Sequence, residues 1–386
     1  MEGQTHLETG GDLNDPMFVQ GVCPLRYDYL IVGAGLAGAV LAERLTSDKK
    51  KVLVIDRRDH TGGNCHDHYD RTGVLVHTYG PHYFRTNDMV VKEYLDRFTE
   101  WKPCSPRIRA WVNNEYLPFP INRDTLNRFF RIDLRTDEEA EGLLRMKRED
   151  IPHPVNAEEM LLSRIGRELT DAFYSNYTKK HWGVPLRELD PSVAARIPVR
   201  ADLDDRYFNE EFQALPREGY RKLFQNLLKN IEVRLETEYT EIMDQVDNDH
   251  IIFTGPIDEF FGYKFGKLPY RSLRFEFEHH EREFYQEWVQ VNYPNDHEYT
   301  RIVEIKHLTG QELPRTIIVK EYPSETGDRF YPVPNPGNRQ LYEKYKHEAD
   351  ELDNVTFTGR LGRYEYMNMD QVVRGSLDLF AELRSK

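Results

Sequence analysis

Three cysteines are all that the 386 residues contain: Cys23, Cys65 and Cys104. No two of them stand at a metal-binding spacing, and so sparse and odd a number fits a reducing cytoplasm better than a disulfide framework. Long apolar runs are also missing. Nowhere do ~18 apolar residues follow one another, which leaves no candidate for a membrane-spanning helix. Cations are in deficit, since 52 Lys and Arg against 66 Asp and Glu give a net charge of −14. That balance argues against nucleic acid as a partner, because phosphate backbones need a basic face. It permits a small anionic substrate, provided that local arginines work against the global field. The first 25 residues lack the basic start and apolar middle of a secretory signal. Residues 1–25 therefore read as a tail outside the fold, and the location as cytoplasmic. Internal repeats and low-complexity runs are absent.

What is present begins with "YDYLIVGAGLAGAVLAERL", Tyr27 to Leu45. A short apolar strand leads into Gly33, Gly35 and Gly38, and a helix follows. In a G-x-G-x-x-G turn the first glycine makes the tight bend, the second lets the backbone approach a pyrophosphate, and the third lets helix and strand pack closely. The helix N-terminus offers unpaired N–H groups to the phosphates. A second strand, Lys51 to Ile55, ends in Asp56, where an acid would meet a ribose hydroxyl. Beyond it "RRDHTGGN" carries Arg57, Gly62, Gly63 and Asn64, an extension that resembles one in the flavoproteins that include amine oxidases. Two later strands ending in Thr-Gly turns, "HIIFTGPIDEFF" and "NVTFTGRLG", read as returns to the same sheet. The cofactor expected is FAD, held non-covalently by separated parts of the chain.

A flavin normally passes electrons, yet the chain has no second G-x-G-x-x-G and no C-x-x-C. Either oxygen is the acceptor or the net reaction is not a redox reaction. Residues from about 122 to 182 read as helices, with Thr136-x-x-Glu139 and Asn156-x-x-Glu159 as N-terminal caps. Phe173 and Tyr177 fall on one face near a stop at Trp182-Gly183. "RSLRFEFEH" and "RTIIVKEY" read as strands of an antiparallel sheet. Arginines and tyrosines recur in these segments: Arg196 and Arg200, Tyr207, Arg271, Arg301, Tyr331, and Arg360 with Tyr366. Guanidinium forks match phosphate oxygens two at a time, and tyrosines stack on bases and donate to phosphates. The set points to a nucleoside diphosphate substrate. The stretch "NCHDHYD", with His66 and His68, reads as a polar loop and not as a metal site.

Together the fingerprint, "GGN", "YGPHYFRTND", "YTKKHWG", "RIPVR", "FTGPIDEFF", "YRSLRFE", "YTRIVE", "KEYP" and "GRLGRYEY" resemble the bacterial UDP-galactopyranose mutases, in order and from Tyr27 almost to the end. The resemblance implies FAD and interconversion of UDP-galactopyranose and UDP-galactofuranose, a step that serves cell-wall biosynthesis. It implies that N5 of the reduced flavin attacks the anomeric carbon, that the sugar recloses through another hydroxyl, and that no electrons are lost overall. Arg196 and Arg301 are then the diphosphate clamp, with His82 and Arg360 beside the flavin. Tyr177, with Phe173, is expected at uracil and Trp182 on a mobile loop beside the sugar. Tyr207, Tyr331 and Tyr366 are expected at phosphate oxygens, and Arg271 on the lid. A cellular reductant such as NAD(P)H would activate the flavin without a dedicated tight site, and a homo-oligomer is expected.

Two positions depart from the family pattern. Asn368 stands where an acid is frequent, so a base role there is excluded. Arg85 stands where a second histidine is common. Two other classes remain open at this point. One is an FAD oxidase of amine-oxidase type, which would favour aromatic cages and carboxylates over paired arginines. The other is a non-catalytic FAD-stabilised scaffold.

The fold class expected is α/β, a Rossmann-like FAD-binding domain with an inserted helical domain and an antiparallel β-sheet domain. Residues 26–100, 217–262 and 350–386 are assigned to the FAD-binding domain. Residues 122–196 are assigned to the helical domain with its mobile substrate loop. Residues 101–121, 197–216 and 263–349 are assigned to the sheet domain.

Overall fold

The computed structural model describes residues 26–385, so the expected tail, with Cys23, lies outside the described residues. A five-stranded parallel sheet forms the nucleotide-binding part. Its order across the sheet is Glu232–Arg234, Val52–Ile55, Arg26–Val32, Asp247–Phe253 and Val355–Phe357. The strand Val52–Ile55 is apolar at every position because both faces are covered. Helix Leu36–Ser47 packs between this sheet and the long helix Met369–Ser385. The two late Thr-Gly strands thus do return to this sheet, Asp247–Phe253 beside the first strand and Val355–Phe357 beyond it at the edge.

A seven-stranded sheet lies apart from the first. Its order is Tyr331–Pro332, Tyr270–His280, Thr316–Ser324, Arg301–Val303, Gln290–Asn292, Ile108–Val112 and Glu115–Phe119. It is antiparallel except where Gln290–Asn292 runs parallel to Ile108–Ala110. Alternation along a strand fixes which face is buried but says nothing of its neighbour's direction, so this exception was invisible in the sequence. A three-stranded sheet of Phe84–Thr86, Phe212–Pro216 and Trp101–Pro103 ties the two parts together.

Helix Pro336–Asp350 corrects one expected boundary. Its buried Tyr342 and Tyr345 pack with Ile257, Leu268 and Tyr364, on the nucleotide-binding side. The expected sheet domain runs to residue 349 and would include this helix. The helix joins the parallel fold because its aromatic stripe finds a partner surface there, just before the strand Val355–Phe357.

Between the two sheets the insert is helical, as expected. Thr136 and Glu139 close a reciprocal capping box, and the Asn156 side chain accepts from the Glu159 amide at 2.9 Å. Gly166 has φ 75°, and a Cβ there would lie 2.0 Å from the Lys147 carbonyl oxygen, so the helix kinks at this point. The chain then runs through a wide turn, Asp171–Ser175, into helix Asn176–Trp182, which ends on left-handed Gly183.

Candidate active site

Two cavities meet in the cleft between these parts. The larger, ≈ 600 Å³, lies at the carboxyl ends of the parallel strands and is lined by Gly33, Gly35, Asp56, Arg57, Gly62, Gly63, Asn64, His82 and Arg360. Gly33 has φ +108°, and a Cβ would sit 2.0 Å from the Thr254 hydroxyl. Gly35 and Gly63 face each other closely, since a Cβ on Gly63 would lie 3.0 Å from the Gly35 Cα. Gly38 does not line the cavity; a Cβ there would lie 1.9 Å from the Gly33 carbonyl oxygen, so its role is helix–strand contact. The Asp56 carboxylate accepts the backbone amides of Ala34 at 2.7 Å and Arg58 at 2.9 Å. It braces the glycine turn while remaining on the cavity wall.

The second cavity, ≈ 210 Å³, is lined by Phe173, Tyr177, Trp182, Arg196, Tyr207, Arg301, Tyr331, Tyr366 and Asn368, from all three parts of the chain. His82, Arg360 and Met369 line both cavities and mark where they join. Four guanidiniums face this space, those of Arg85, Arg196, Arg301 and Arg360, and no Asp or Glu is among the lining residues described. Arg301 pairs with fully buried Glu321 at 2.7 Å, and Arg85 with Glu210. Among the described residues Arg196 and Arg360 have no carboxylate within ion-pair distance. Arg360 donates to the Phe330 and Met367 carbonyls instead, and Arg196 lies exposed, 4.7 Å from the Tyr366 ring centroid.

These cations tune their neighbours. Burial alone would raise the Tyr366 hydroxyl, but Arg196 and Arg360 outweigh it and bring it down to about 8. Burial, with Arg360 and Arg301 adding to it, pushes His82 down to about 4 against the opposing pull of its bond to Gly80. Its Nδ1 lies 2.9 Å from the Gly80 carbonyl oxygen and must carry the proton, so Nε2 is an acceptor.

Arg271 is not among the residues that line the cavity. Its guanidinium donates to the carbonyls of His181 at 3.0 Å and Lys180 at 3.2 Å, capping the end of helix Asn176–Trp182. Two orphan carbonyls at a helix C-terminus attract a cation, and that accounts for the burial of this arginine away from the cavity. Lys180 anchors the same helix by donating to the carbonyls of Tyr293, His297 and Tyr299. His66 and His68 share the Thr78 hydroxyl, at 2.8 and 3.0 Å.

Other lining residues are not singled out by the sequence motifs. Gln290 and Asn292 alternate inward on one strand and are bonded to each other at 2.8 Å. Two buried polar residues at period two in "QVNYP" were the available signal. The segment Thr237–Thr240 with Met243 also lines the larger cavity. Nothing in its sequence marked it.

A Rossmann-like sheet with a glycine cradle, joined to an arginine- and tyrosine-lined cavity, defines a dinucleotide-dependent enzyme acting on an anionic substrate. Residues 31–98 match the profile of the NAD(P)-binding Rossmann-like domain, and residues 172–366 that of UDP-galactopyranose mutase. Over 365 residues the chain is 38% identical to a probable UDP-galactopyranose mutase of Klebsiella pneumoniae, covering 92% of this chain and 94% of that protein. It is 36% identical to the dTDP-fucopyranose mutase of Escherichia coli, over 90% and 96% of the two chains. A crystal structure of reduced UDP-galactopyranose mutase superimposes with TM-score 0.76 at 18% identity, over 93% and 96% of the chains. A putrescine oxidase shares the fold more loosely, with TM-score 0.60 at 14% identity, over 94% and 100%. The chain belongs to the UDP-galactopyranose mutase family and is an isomerase of that family.

Proposed function

We propose that the protein uses FAD to interconvert UDP-galactopyranose and UDP-galactofuranose without net redox change. The observation that carries this reading is the charge of the smaller cavity. Two of its four guanidiniums are neutralised by Glu321 and Glu210, and two, Arg196 and Arg360, are not. The cavity therefore keeps a positive surplus, which suits the anionic diphosphate of a nucleotide sugar. An amine substrate, as in the oxidases that share the fold, would need a carboxylate, and none is among the lining residues described.

FAD fits the larger cavity because the glycine cradle has room for a pyrophosphate only where Cβ atoms are missing, at Gly33, Gly35 and Gly63. Asp56, Arg57, Gly62 and Asn64 would hold it, and His82 and Arg360 would face its reactive ring. In reduced form it would supply the nucleophilic nitrogen that takes the anomeric carbon as UDP departs. The protein's own share is to hold the parts. Arg196 and Arg301 fork the diphosphate, assisted by the hydroxyls of Tyr207, Tyr331 and Tyr366. Phe173 and Tyr177 flank the base, with the Gln290–Asn292 pair nearby. Trp182 covers the sugar. Neutral His82 offers an acceptor nitrogen at the junction. Bringing the two reactants together in this way makes the attack effectively intramolecular.

The test is turnover of UDP-galactofuranose with and without dithionite, followed by chromatography. Activity only after reduction, with many turnovers per reducing equivalent, is expected. Oxygen consumed in proportion to product would sink the reading. Running dTDP-fucofuranose alongside decides between the activities named for the two relatives. A cellular reductant such as NAD(P)H, acting without a tight site of its own, would keep the enzyme active in the cytoplasm.

A further inference from the structure

Helix Asn176–Trp182 has seven residues and two unlike sides. Tyr177, Thr178, His181 and Trp182 line the smaller cavity, and the Tyr177 and His181 rings stack with centroids 6.1 Å apart. Asn176 and Lys180, four apart, share the other side, and both meet the segment 293–299. The Lys180 ammonium donates to the carbonyls of Tyr293 at 2.5 Å, His297 at 2.9 Å and Tyr299 at 3.4 Å. The Asn176 amide donates to Oδ1 of Asn295 at 3.0 Å, and Asn295 donates back to the Ala172 carbonyl at 3.0 Å. So short a helix has little stability of its own in water, and outside contacts fix its pose. The segment 293–299 belongs to the cavity as well. It joins strand Gln290–Asn292 to strand Arg301–Val303, and its Pro294 lines the smaller cavity together with Gln290, Asn292 and Arg301. Lys180 thus connects the wall that carries Tyr177 and Trp182 to the wall that carries Arg301.

We propose that Lys180 is a positioning residue: its ammonium latches the aromatic helix to the segment 293–299 and so sets the spacing between two walls of the smaller cavity. The inference rests on the sugar-nucleotide function proposed above. Chemistry singles out Lys180 among the ties. An ammonium has three donors, and three carbonyls of one short segment take them. Bonds from a charged donor are the stronger kind, whereas the Asn176–Asn295 bridge is neutral and exposed. The latch lies away from the cavity, since Lys180, Asp296, His297, Glu298 and Pro323 border an open surface depression. Asp296 and Glu298 are the acids of the segment itself, and His297 lays its ring on Tyr299 with centroids 4.5 Å apart. Lys179 and His181 flank Lys180 on its own helix. Arg271 donates to the Lys180 carbonyl, and Glu325 lies 3.6 Å from that guanidinium. Strand Thr316–Ser324 packs on the helix with its charges already paired, Lys320 on Glu278 and Glu321 on Arg301. Burial pushes the Lys180 ammonium down to about 8 against the pull of Asp296. The latch therefore holds at neutral pH and loosens as pH rises through that value, because the free amine lacks the charge that the carbonyls attract.

Three measurements on the FAD-loaded protein test this. Lys180→Met keeps the length of the side chain and removes its donors. Hydrogen exchange without substrate should show the peptide 171–183 losing about tenfold in protection, while helix Leu36–Ser47 exchanges as in the wild type. UDP-galactose, titrated by tryptophan fluorescence at about pH 7, should bind the variant about tenfold more weakly, the loss expected when a charged donor no longer holds its partners. From about pH 7 to about pH 9.5 the wild type should weaken towards the variant until the two agree within about twofold. The variant, read at the same pH values, subtracts every other group that titrates there, Tyr366 and the uracil included. Unchanged protection in Lys180→Met would overturn the latch. Lost protection with unchanged affinity would overturn the positioning role. Affinities that stay apart by a constant factor up to the highest pH would overturn the part given to the charge. Should Lys180→Met not fold, the wild type decides: exchange of the peptide 171–183 must quicken relative to helix Leu36–Ser47 above about pH 8, and a constant ratio would overturn the latch. Exchange needs no ligand, so the two ideas fail separately. A wild type that binds UDP-galactose but does not isomerise it counts against the proposed function and leaves the exchange result standing.

Discussion

Arg196 and Arg301 are expected to serve the same diphosphate yet to differ in what they do for stability. Each supplies a fork of charge-assisted hydrogen bonds, so alanine at either should lower kcat/KM by roughly a hundredfold with FAD still bound. Arg301 has a second task. Glu321 beneath it is fully buried, its Oε1 has no hydrogen-bond partner, and burial already pushes its carboxyl up while only Arg301 pulls it back. Arg301→Ala leaves that carboxyl alone, which typically costs about 3 kcal/mol. Arg196 is exposed and unpaired with any described carboxylate, so Arg196→Ala should change stability by less than about 0.5 kcal/mol. Thermal unfolding of the two variants checks this. Adding Glu321→Gln to Arg301→Ala should recover part of the stability and none of the activity. Equal melting temperatures for the two alanine variants would refute the distinction.

The glycine turn makes a similar contrast between neighbouring positions of one element. A Cβ on Gly38 would meet the Gly33 carbonyl oxygen at 1.9 Å, so Gly38→Ala must push helix Leu36–Ser47 off its strand. A Cβ on Gly35 would meet only Gly63 Cα, at an ordinary 3.7 Å, but on the wall of the larger cavity. Gly38→Ala should therefore lose stability and flavin together, whereas Gly35→Ala should keep its melting temperature and purify with less flavin. Melting curves and flavin absorbance of the two proteins decide it. At the helix Asn176–Trp182, Arg271→Ala removes the cap on the His181 and Lys180 carbonyls without removing a side chain from the cavity wall. Activity should fall through poorer placement of Trp182, and extra substrate should restore little of it.

These elements were legible because each glycine and each cap has one physical task. The Rossmann fingerprint, both helix caps and the stop at Gly183 follow from local rules. Arg271 caps the helix that carries Trp182, a contact that its sequence does not single out, because a basic residue looks the same whether it meets a phosphate or a helix carbonyl. The parallel pair of Gln290–Asn292 with Ile108–Ala110, the packing of Tyr342 and Tyr345, and the tie of Lys180 to the segment 293–299 all depend on segments far apart in the chain. Single-sequence patterns carry no such information.

The acid stability of the whole molecule follows from histidines that it buries uncharged. Burial pushes His77 and His181 down to about 3, and His66 and His82 to about 4, from an unfolded value near 6.5. In each case the folded state binds its proton less readily. Between about pH 6.5 and pH 4 the unfolded chain takes up protons that the folded one refuses, so stability falls as pH falls through that window. Asp67 works the other way. Burial lifts its carboxyl to about 6 although the amides of Tyr220 and Arg221 donate to it, so the folded state holds a proton there that the unfolded chain releases. Burial raises the carboxyls of Asp258, Glu321 and Asp370 in the same sense as Asp67, and lowers His68 with the other histidines, so the histidine slope is read at the upper end of the window, nearest the unfolded imidazole value. Calorimetry from pH 7.5 to pH 5 should show a melting temperature level near neutrality and falling below about pH 6.5. His77 accepts the His82 amide through Nδ1 at 3.1 Å, and Asn could take over that bond without titrating. His77→Asn should therefore flatten the slope by one proton's share. A melting temperature that does not move over this range would mean that these imidazoles are hydrated and titrate in the folded protein as they do in the unfolded chain.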